Sequence, residues 1–500
     1  MEDKLKELKK ILAEVSDING ASALLGWDQQ TYMPPGGTES RSQQLATLNR
    51  LAHVKFTDER VGMLLDELQP YAESLEPDSV DARLIQVTRR EYDKQVKVPA
   101  DWVADFSRVT SAAHQIWQEA RQEDDFPKFQ PYLERIVELR REYADLFAPF
   151  EHVYDPLLDD YEPGMKTKDV QAIFAELRPQ QVEIIQAIRE QPQVDNSFLH
   201  GSYNPQKQLE FGEKVVTRFG YDWRRGRQDK SAHPFTTGFG IDDVRITTRV
   251  FPNDASSALF STMHEAGHAM YEQGINKSLS RTPLATGASL AVHESQSRMW
   301  ENLVGRSYPF WEHFYPSLQE TFPEQLSDVD LLDFYKAINK VEPSLIRVEA
   351  DEATYNLHIM LRLEMEIALM EGALDVKNLP EAWNTRMEEY LGVLPPNDVQ
   401  GVLQDVHWSG GLIGYFATYA LGNLISVQLW DAIQKDIPDL EDQIRHGEFA
   451  GLLGWLRKNI HQYGAMFKPQ ELVERATGSK IDPAPYLQYL RQKYGEIYNL

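Results

Sequence analysis

The 500-residue chain contains no cysteine. That excludes disulfides, cysteine-based zinc sites and a thiol nucleophile, and it is compatible with a reducing compartment. No apolar run approaches membrane-spanning length, so no membrane partner is expected. The start, Met1-Glu2-Asp3-Lys4-Leu5-Lys6-Glu7, is charged and leads into an amphipathic helix rather than the apolar core of a signal peptide. Basic residues are the minority, with 51 Lys and Arg against 77 Asp and Glu, for a net charge of −26. This argues against nucleic acid or an anionic membrane surface as partner, although a local basic pocket can survive in an acidic protein. The expectation is a soluble, acidic, cytoplasmic protein. There is also no internal repeat, low-complexity tract or clean linker. The length would allow about three domains, but the sequence reads as one large, mostly helical domain over residues 1–500.

What is present is dominated by one stretch. After Asn253-Asp254, both good N-cap types, residues 255–274 read as a helix that closes at Gly274. Leu259, Met263, Ala266 and Met270 form an apolar stripe that would seat it in a core. The helix carries His264-Glu265-Ala266-Gly267-His268. His264 and His268 are one turn apart on one face, so both imidazoles can reach one metal ion. Glu265 is rotated by about 100° from His264. It can stand beside the ion as a general base toward metal-activated water. The plainer alternative is a pair of helix histidines with no metal. Against it, a third donor follows 26 residues after His268, at Glu294. The segment from Ser289 reads as a second helix, apolar at Leu290, Trp300 and Leu303. Two His and one Glu form a known catalytic zinc set that keeps a position open. His293 is the rival donor, but adjacent helix residues point about 100° apart, so one of the pair should face the metal. Glu294 is preferred, with His293 as a supporting group or substrate contact.

In chain order, Leu5, Leu8, Leu12 and Val15 open a first helix, which the Trp27-Asp28…Met33-Pro34-Pro35-Gly36-Gly37 turn interrupts. Helices resume from Ser40 to about Leu146. The Pro/Gly/Asp-rich run Tyr154–Gly164 reads as a solvated turn rather than a calcium loop, because it lacks regular ligand spacing. Helices follow at Lys168–Leu177 and Pro205–Phe219. His233–Gly240 is loop-like. Asp243–Val250 alternates apolar with polar and reads as a half-buried strand. As an edge strand it could accept an extended peptide, or it could be a plain structural hairpin. Arg347 falls in a predicted helical run from about Leu345 to Met370. There it could pair with Asp351 at i,i+4. Residues 401–422 are dense in Gly, His and aromatics and lead into an apolar helix.

Six segments now stand in order: His233-Pro234-Phe235; Asp243-x-Arg245-x-Thr247; His264-Glu265-Ala266-Gly267-His268; His293-Glu294-Ser295-Gln296; Ile346-Arg347-x-x-Ala350-Asp351; and Gly401-x-x-Gln404-Asp405-x-His407-Trp408. Together with the Trp27…Pro34 turn, they make the chain resemble the M32 metallocarboxypeptidases, the thermostable carboxypeptidase family. The resemblance implies an almost all-α, saddle-like fold with a deep central groove and a small β-sheet, similar to neurolysin-type peptidases and angiotensin-converting enzyme. In that picture a helical part, about 1–220, forms one wall of the groove and a zinc-site part covers about 221–500. It implies an enzyme that removes single residues from the free C-terminus of short or unfolded peptides with broad specificity, often as a homodimer. One Zn2+ per chain is expected, with Co2+ or Mn2+ as possible substitutes.

Under this reading His264, His268 and Glu294 hold the metal and Glu265 is the base. His407 and Tyr419 are the candidates for stabilising the oxyanion, with Tyr415 the near rival. A guanidinium fork suits the substrate C-terminal carboxylate; Arg347 is the first choice and Arg245 the second. His293 and His233 complete the expected substrate contacts. Two other readings compete: an oligopeptidase that cuts internally, and a non-catalytic helical binding protein with a structural metal. Structural zinc sites are usually closed by four ligands and often cysteine-rich, which this chain cannot supply.

Overall fold

The computed structural model describes residues 1–500 and is predominantly α-helical, with one small three-stranded sheet. No helix is long and apolar enough to cross a membrane. The chain forms two compact units, each assembled from three separate segments: residues 1–96, 195–338 and 429–478 in the first, and 97–194, 339–428 and 479–500 in the second.

The first unit opens with the helix Glu2–Thr31, which buries Leu5, Leu8, Leu12 and Val15 along one face. The sequence placed a break at Trp27-Asp28. The helix instead continues through both and stops before Pro34, where the ring of a proline disfavours helical geometry in the preceding residue. The helices Thr38–Phe56, Glu59–Ser74 and Val80–Lys97 follow, and Pro205–Phe219 has the predicted bounds. The side chain of Asn204 accepts from Gln206 N and Lys207 N, and Gly220 adopts φ +108°, which explains both of its ends.

The sheet comprises β1 (Gln228–Lys230), β2 (Thr236–Gly240) and β3 (Asp243–Thr248), in the order β1-β3-β2. β3 pairs parallel with β1 and antiparallel with β2. Two expectations change. Residues 236–240 form a strand rather than a loop, and β3 is the central strand, so both of its edges are already taken. Strand addition to β3 is therefore excluded.

The helix with His264 spans Ser257–Gly274, and its apolar stripe is buried: Leu259, Met263, Ala266 and Met270. Asp254 caps its start by accepting from Ser256 N and Ser257 N. Gly274 is its last helical residue rather than a left-handed cap. A Cβ there would lie 2.6 Å from the His461 side chain, so glycine is required by close approach. The next helix, Leu290–Arg298, is capped by Ser289, whose Oγ accepts from Val292 N at 3.1 Å, and it continues as a π-helical segment, Met299–Val304. Trp300 and Leu303 are buried as expected, but Leu290 is exposed.

In the second unit, the helices Ala100–Glu123, Phe126–Asp145, Thr167–Arg189 and Glu352–Glu371 dominate, with the part of Ala417–Asp436 that precedes Leu429. Tyr154–Leu158, read from sequence as a solvated turn, is buried. Asp155 accepts from Thr167 N and Thr167 Oγ1, so this carboxylate anchors a helix start.

Candidate metal centre and active site

Within the first unit, His264, His268 and Glu294 each present one donor atom, and the three atoms lie within 4.8 Å of one another. Glu294 Oε2 is 3.6 Å from His264 Nε2 and 3.4 Å from His268 Nε2. This is the convergence expected from His-x-x-x-His on one helix and a carboxylate on the helix packed beside it. Every donor is also held from behind. Glu294 Oε1 accepts from Arg298 Nε at 2.7 Å, so Oε2 is the oxygen turned to the imidazoles. His264 Nδ1 lies 2.9 Å from Glu301 Oε2, and Glu301 is itself flanked by Arg298 and Arg306. His268 Nδ1 lies 2.7 Å from His293 Nδ1, whose Nε2 is 2.7 Å from Glu272 Oε1.

The electrostatics suit a cation. Burial opposes charge on Glu294, but Arg298 and His264 outweigh it and hold the carboxyl well below the ordinary range. Burial pushes His268 down to about 3, which favours the neutral imidazole a metal needs. Burial opposes charge on His264 as well, yet Glu294 and Glu301 overcome it and raise its pKa. These two carboxylates therefore favour positive charge where the three donors converge. The donor set and its surroundings fit a divalent ion.

Glu265 is buried and does not belong to the triad. Thr236 on β2 donates to it, with Oγ1 2.7 Å from Oε2 and 2.8 Å from the backbone oxygen. Burial raises its carboxyl above the ordinary value, against the pull of His264. A raised carboxylate beside a metal set is suited to accepting a proton near neutral pH.

His293 stands behind His268 and is not a donor to the centre. Arg245 on β3 pairs with Asp243 through Nε and Nη2, both at 2.9 Å, and its guanidinium lies 4.4 and 4.8 Å from the ring centroids of Trp27 and Phe239. His233 is exposed before β2, and its carbonyl accepts from Ser231.

The second unit contains its own cluster. Tyr419 Oη lies 3.5 Å from His407 Nε2, and the Tyr415 ring is 5.3 Å from each of the His407 and Tyr419 rings. Burial pushes His407 down to about 4 and Tyr419 well above its usual range, so both are neutral donors at neutral pH. Arg347 lies in a 3-10 turn, Arg347–Glu349, before the helix that starts at Glu352. Its expected i,i+4 partner, Asp351, instead caps that helix through Ala353 N and Thr354 N. Arg347 donates to Asp405 Oδ1 from Nε at 3.0 Å and Nη2 at 2.8 Å, and from Nη1 to Tyr355 Oη at 3.0 Å. Its guanidinium also lies 5.2 Å from the Tyr419 ring centroid. Arg362 Nε shares Asp405 through Oδ2. Arg298, Glu301, Glu272 and Arg362 are the residues that sequence reasoning left without a role. Glu301 carried a faint signal, two turns beyond Glu294.

Known proteins resemble the chain throughout. The family model for Carboxypeptidase Taq (M32) metallopeptidases matches residues 7–494. Thermostable carboxypeptidase 1 of Thermus thermophilus is 43% identical over 99% of this chain and 98% of its own length. Carboxypeptidase 1 of Bacillus subtilis is 38% identical over 99% of both. Among solved structures, an M32 carboxypeptidase from Deinococcus radiodurans has a TM-score of 0.97 at 43% identity, covering 100% of both chains. Metallocarboxypeptidase 1 of Trypanosoma cruzi has a TM-score of 0.94 at 33% identity, covering 99% of this chain and 100% of its own. Identity at this level over full length is beyond what a shared fold alone explains, and the chain belongs to the M32 family, as a metallocarboxypeptidase.

Proposed function

We propose that this enzyme is a zinc-dependent carboxypeptidase of broad specificity that releases single residues from the free C-terminus of short or unfolded peptides. The observation that carries the reading is the convergence of His264 Nε2, His268 Nε2 and Glu294 Oε2, with Glu265 beside them and outside the set. Two imidazoles and one carboxylate suit a single zinc ion per chain, while cobalt or manganese also fits such donors. When bound, the ion supplies Lewis acidity toward the scissile carbonyl and acidifies water.

The protein side of the chemistry follows from placement. Glu265, raised by burial and oriented by Thr236, takes a proton from the attacking water and then gives it to the leaving amine nitrogen. His407 and Tyr419, both neutral donors, carry the oxyanion role, with Tyr415 as the alternative. Arg347 is the proposed receptor for the substrate carboxylate, because it belongs to the same cluster as His407 and Tyr419. Arg245 is the second candidate: Asp243 occupies its fork as Asp405 occupies that of Arg347, and it is the place beside Tyr419 that ranks Arg347 first. His293 and His233 have less support as substrate contacts: His293 serves His268, and His233 is exposed on its loop.

We read residues 1–500 as one functional peptidase domain, since each unit carries part of the motif set. The cytoplasmic setting and the homodimer belong to the same proposal, and light scattering in solution tests the dimer. The deciding experiment uses one N-blocked peptide with a free or an amidated C-terminus, incubated with chelator-stripped and with zinc-restored enzyme. Zinc-dependent stepwise trimming of the free form alone is expected. Equal internal cleavage of both forms would make the enzyme an oligopeptidase.

A further inference from the structure

The two histidines of the His-Glu-x-x-His helix are supported in different ways. His264 meets a carboxylate directly, Glu301 at 2.9 Å. His268 meets another imidazole, and the carboxylate is one ring further away, at Glu272. Glu272 lies four residues after His268 on the same helix, and His293 from the neighbouring helix reaches in between them. The His293 ring is closely walled: Tyr271 packs 5.0 Å from its centroid, and a Cβ on Gly287 would lie 2.7 Å from His293 Cδ2.

A neutral imidazole has one N–H and one lone pair. Two Nδ1 atoms 2.7 Å apart therefore share a single proton, which belongs either to His268 or to His293. The choice matters. If the proton sits on His268 Nδ1, the lone pair of His268 Nε2 faces Glu294 and His264, as a metal ligand requires. If it sits on His293 Nδ1, His268 must carry its own proton on Nε2, pointing into the donor cluster. Without metal, Glu294 Oε2, 3.4 Å from His268 Nε2, favours the second state, and the group that favours the first is the one at the far nitrogen of His293. The carboxylate of Glu272 accepts there and cannot donate.

We infer that Glu272 is a positioning residue for the metal centre: by accepting the Nε2 proton of His293, it fixes the tautomers of His293 and His268 in sequence and keeps the Nε2 lone pair of His268 turned to the ion. The inference rests on the proposed ligand set. Glu272 also lines a cavity of about 720 Å³, shared with Asn19, Phe239 and Arg281, so a change at this position faces space rather than tight packing.

The test is ring 15N NMR of the metal-free enzyme together with zinc affinity from chelator competition. In the wild type, His268 is expected with its proton on Nδ1. In Glu272→Leu, a population with the proton on Nε2 is expected, zinc binding weakens by about 10- to 100-fold, and the His264 tautomer stays unchanged because Glu301 holds it. His293→Phe is expected to release His268 in the same way and serves if the first variant does not fold. An unchanged His268 tautomer in a folded variant of either kind overturns the inference. Glu294→Ala is the control for the ligand set: zinc retained in that variant would overturn the set, while the tautomer readout, taken without metal, still judges Glu272 separately.

Discussion

At the residue scale, the proposed assignment separates binding from chemistry. Glu265 lies outside the donor triad, so Glu265→Gln should keep bound metal, measured by elemental analysis, while kcat falls by about 10²- to 10⁴-fold. Near-normal turnover in a metal-replete variant would remove Glu265 from the base role. Glu294→Ala should instead lose metal on dialysis, because one of three donors goes. The convergence of the three side chains was legible from sequence because helical phase puts His264 and His268 on one face and because glutamate is one known third donor for such a pair. The groups behind the triad were not legible. Glu272 is in phase with His268, but its role depends on His293 entering between them, and sequence periodicity does not show what a neighbouring helix inserts. Arg347 is a related case. Its i,i+4 spacing to Asp351 suggested a helical pair, yet Asp351 is consumed as a cap and Arg347 pairs with Asp405, 58 positions away.

At the element scale, two helices must touch closely for the triad to form. The expected helix pair was readable from its N-caps and apolar positions, and both helices appear within a few residues of the predicted limits. The reason for the glycine within His-Glu-Ala-Gly-His was not. A Cβ on Gly267 would lie 2.6 Å from Ser297 Cα and 2.7 Å from Gln296 O, so backbone meets backbone at this point. Gly267→Ala must push the Glu294 helix away from the His264 helix. We expect a loss of about 1–3 kcal/mol in stability, read by denaturant unfolding, together with weaker zinc binding from a displaced Glu294. An alanine variant with unaltered zinc affinity would mean that the helix spacing does not set the donor geometry. The π-helical turn at Met299–Val304 was likewise invisible, since an apolar pattern does not distinguish one widened turn from a regular one. That turn carries Glu301 to His264. The sheet was only partly legible: alternation located β3, but the glycines in Thr236–Gly240 concealed β2, and strand order cannot be read from one strand's pattern.

At the scale of the whole molecule, one buried carboxyl of the second unit gives a pH signature. Glu366 is fully buried, and burial lifts it to about 7 from 4.5, although Tyr154, Trp408 and Gly414 all donate to it. The folded state then holds a proton that the unfolded chain releases. Its contribution is complete below about pH 4.5 and is lost as the pH rises through about 7, a change of up to about 3 kcal/mol. Unfolding free energies of wild type and Glu366→Gln, followed from about pH 5 to about pH 8, should therefore change in the wild type's disfavour as pH rises. Parallel curves would show that Glu366 does not titrate in this range. The fold class was legible from long helical periodicities, but the division of the chain was not, because local pattern carries no record of which distant segments share a core. Each compact unit draws on three stretches, and the last of them are residues 429–478 and 479–500. Neither core can therefore be completed before residues 429–478 of the one and 479–500 of the other have been made. Neither unit can be excised as an uninterrupted stretch of gene.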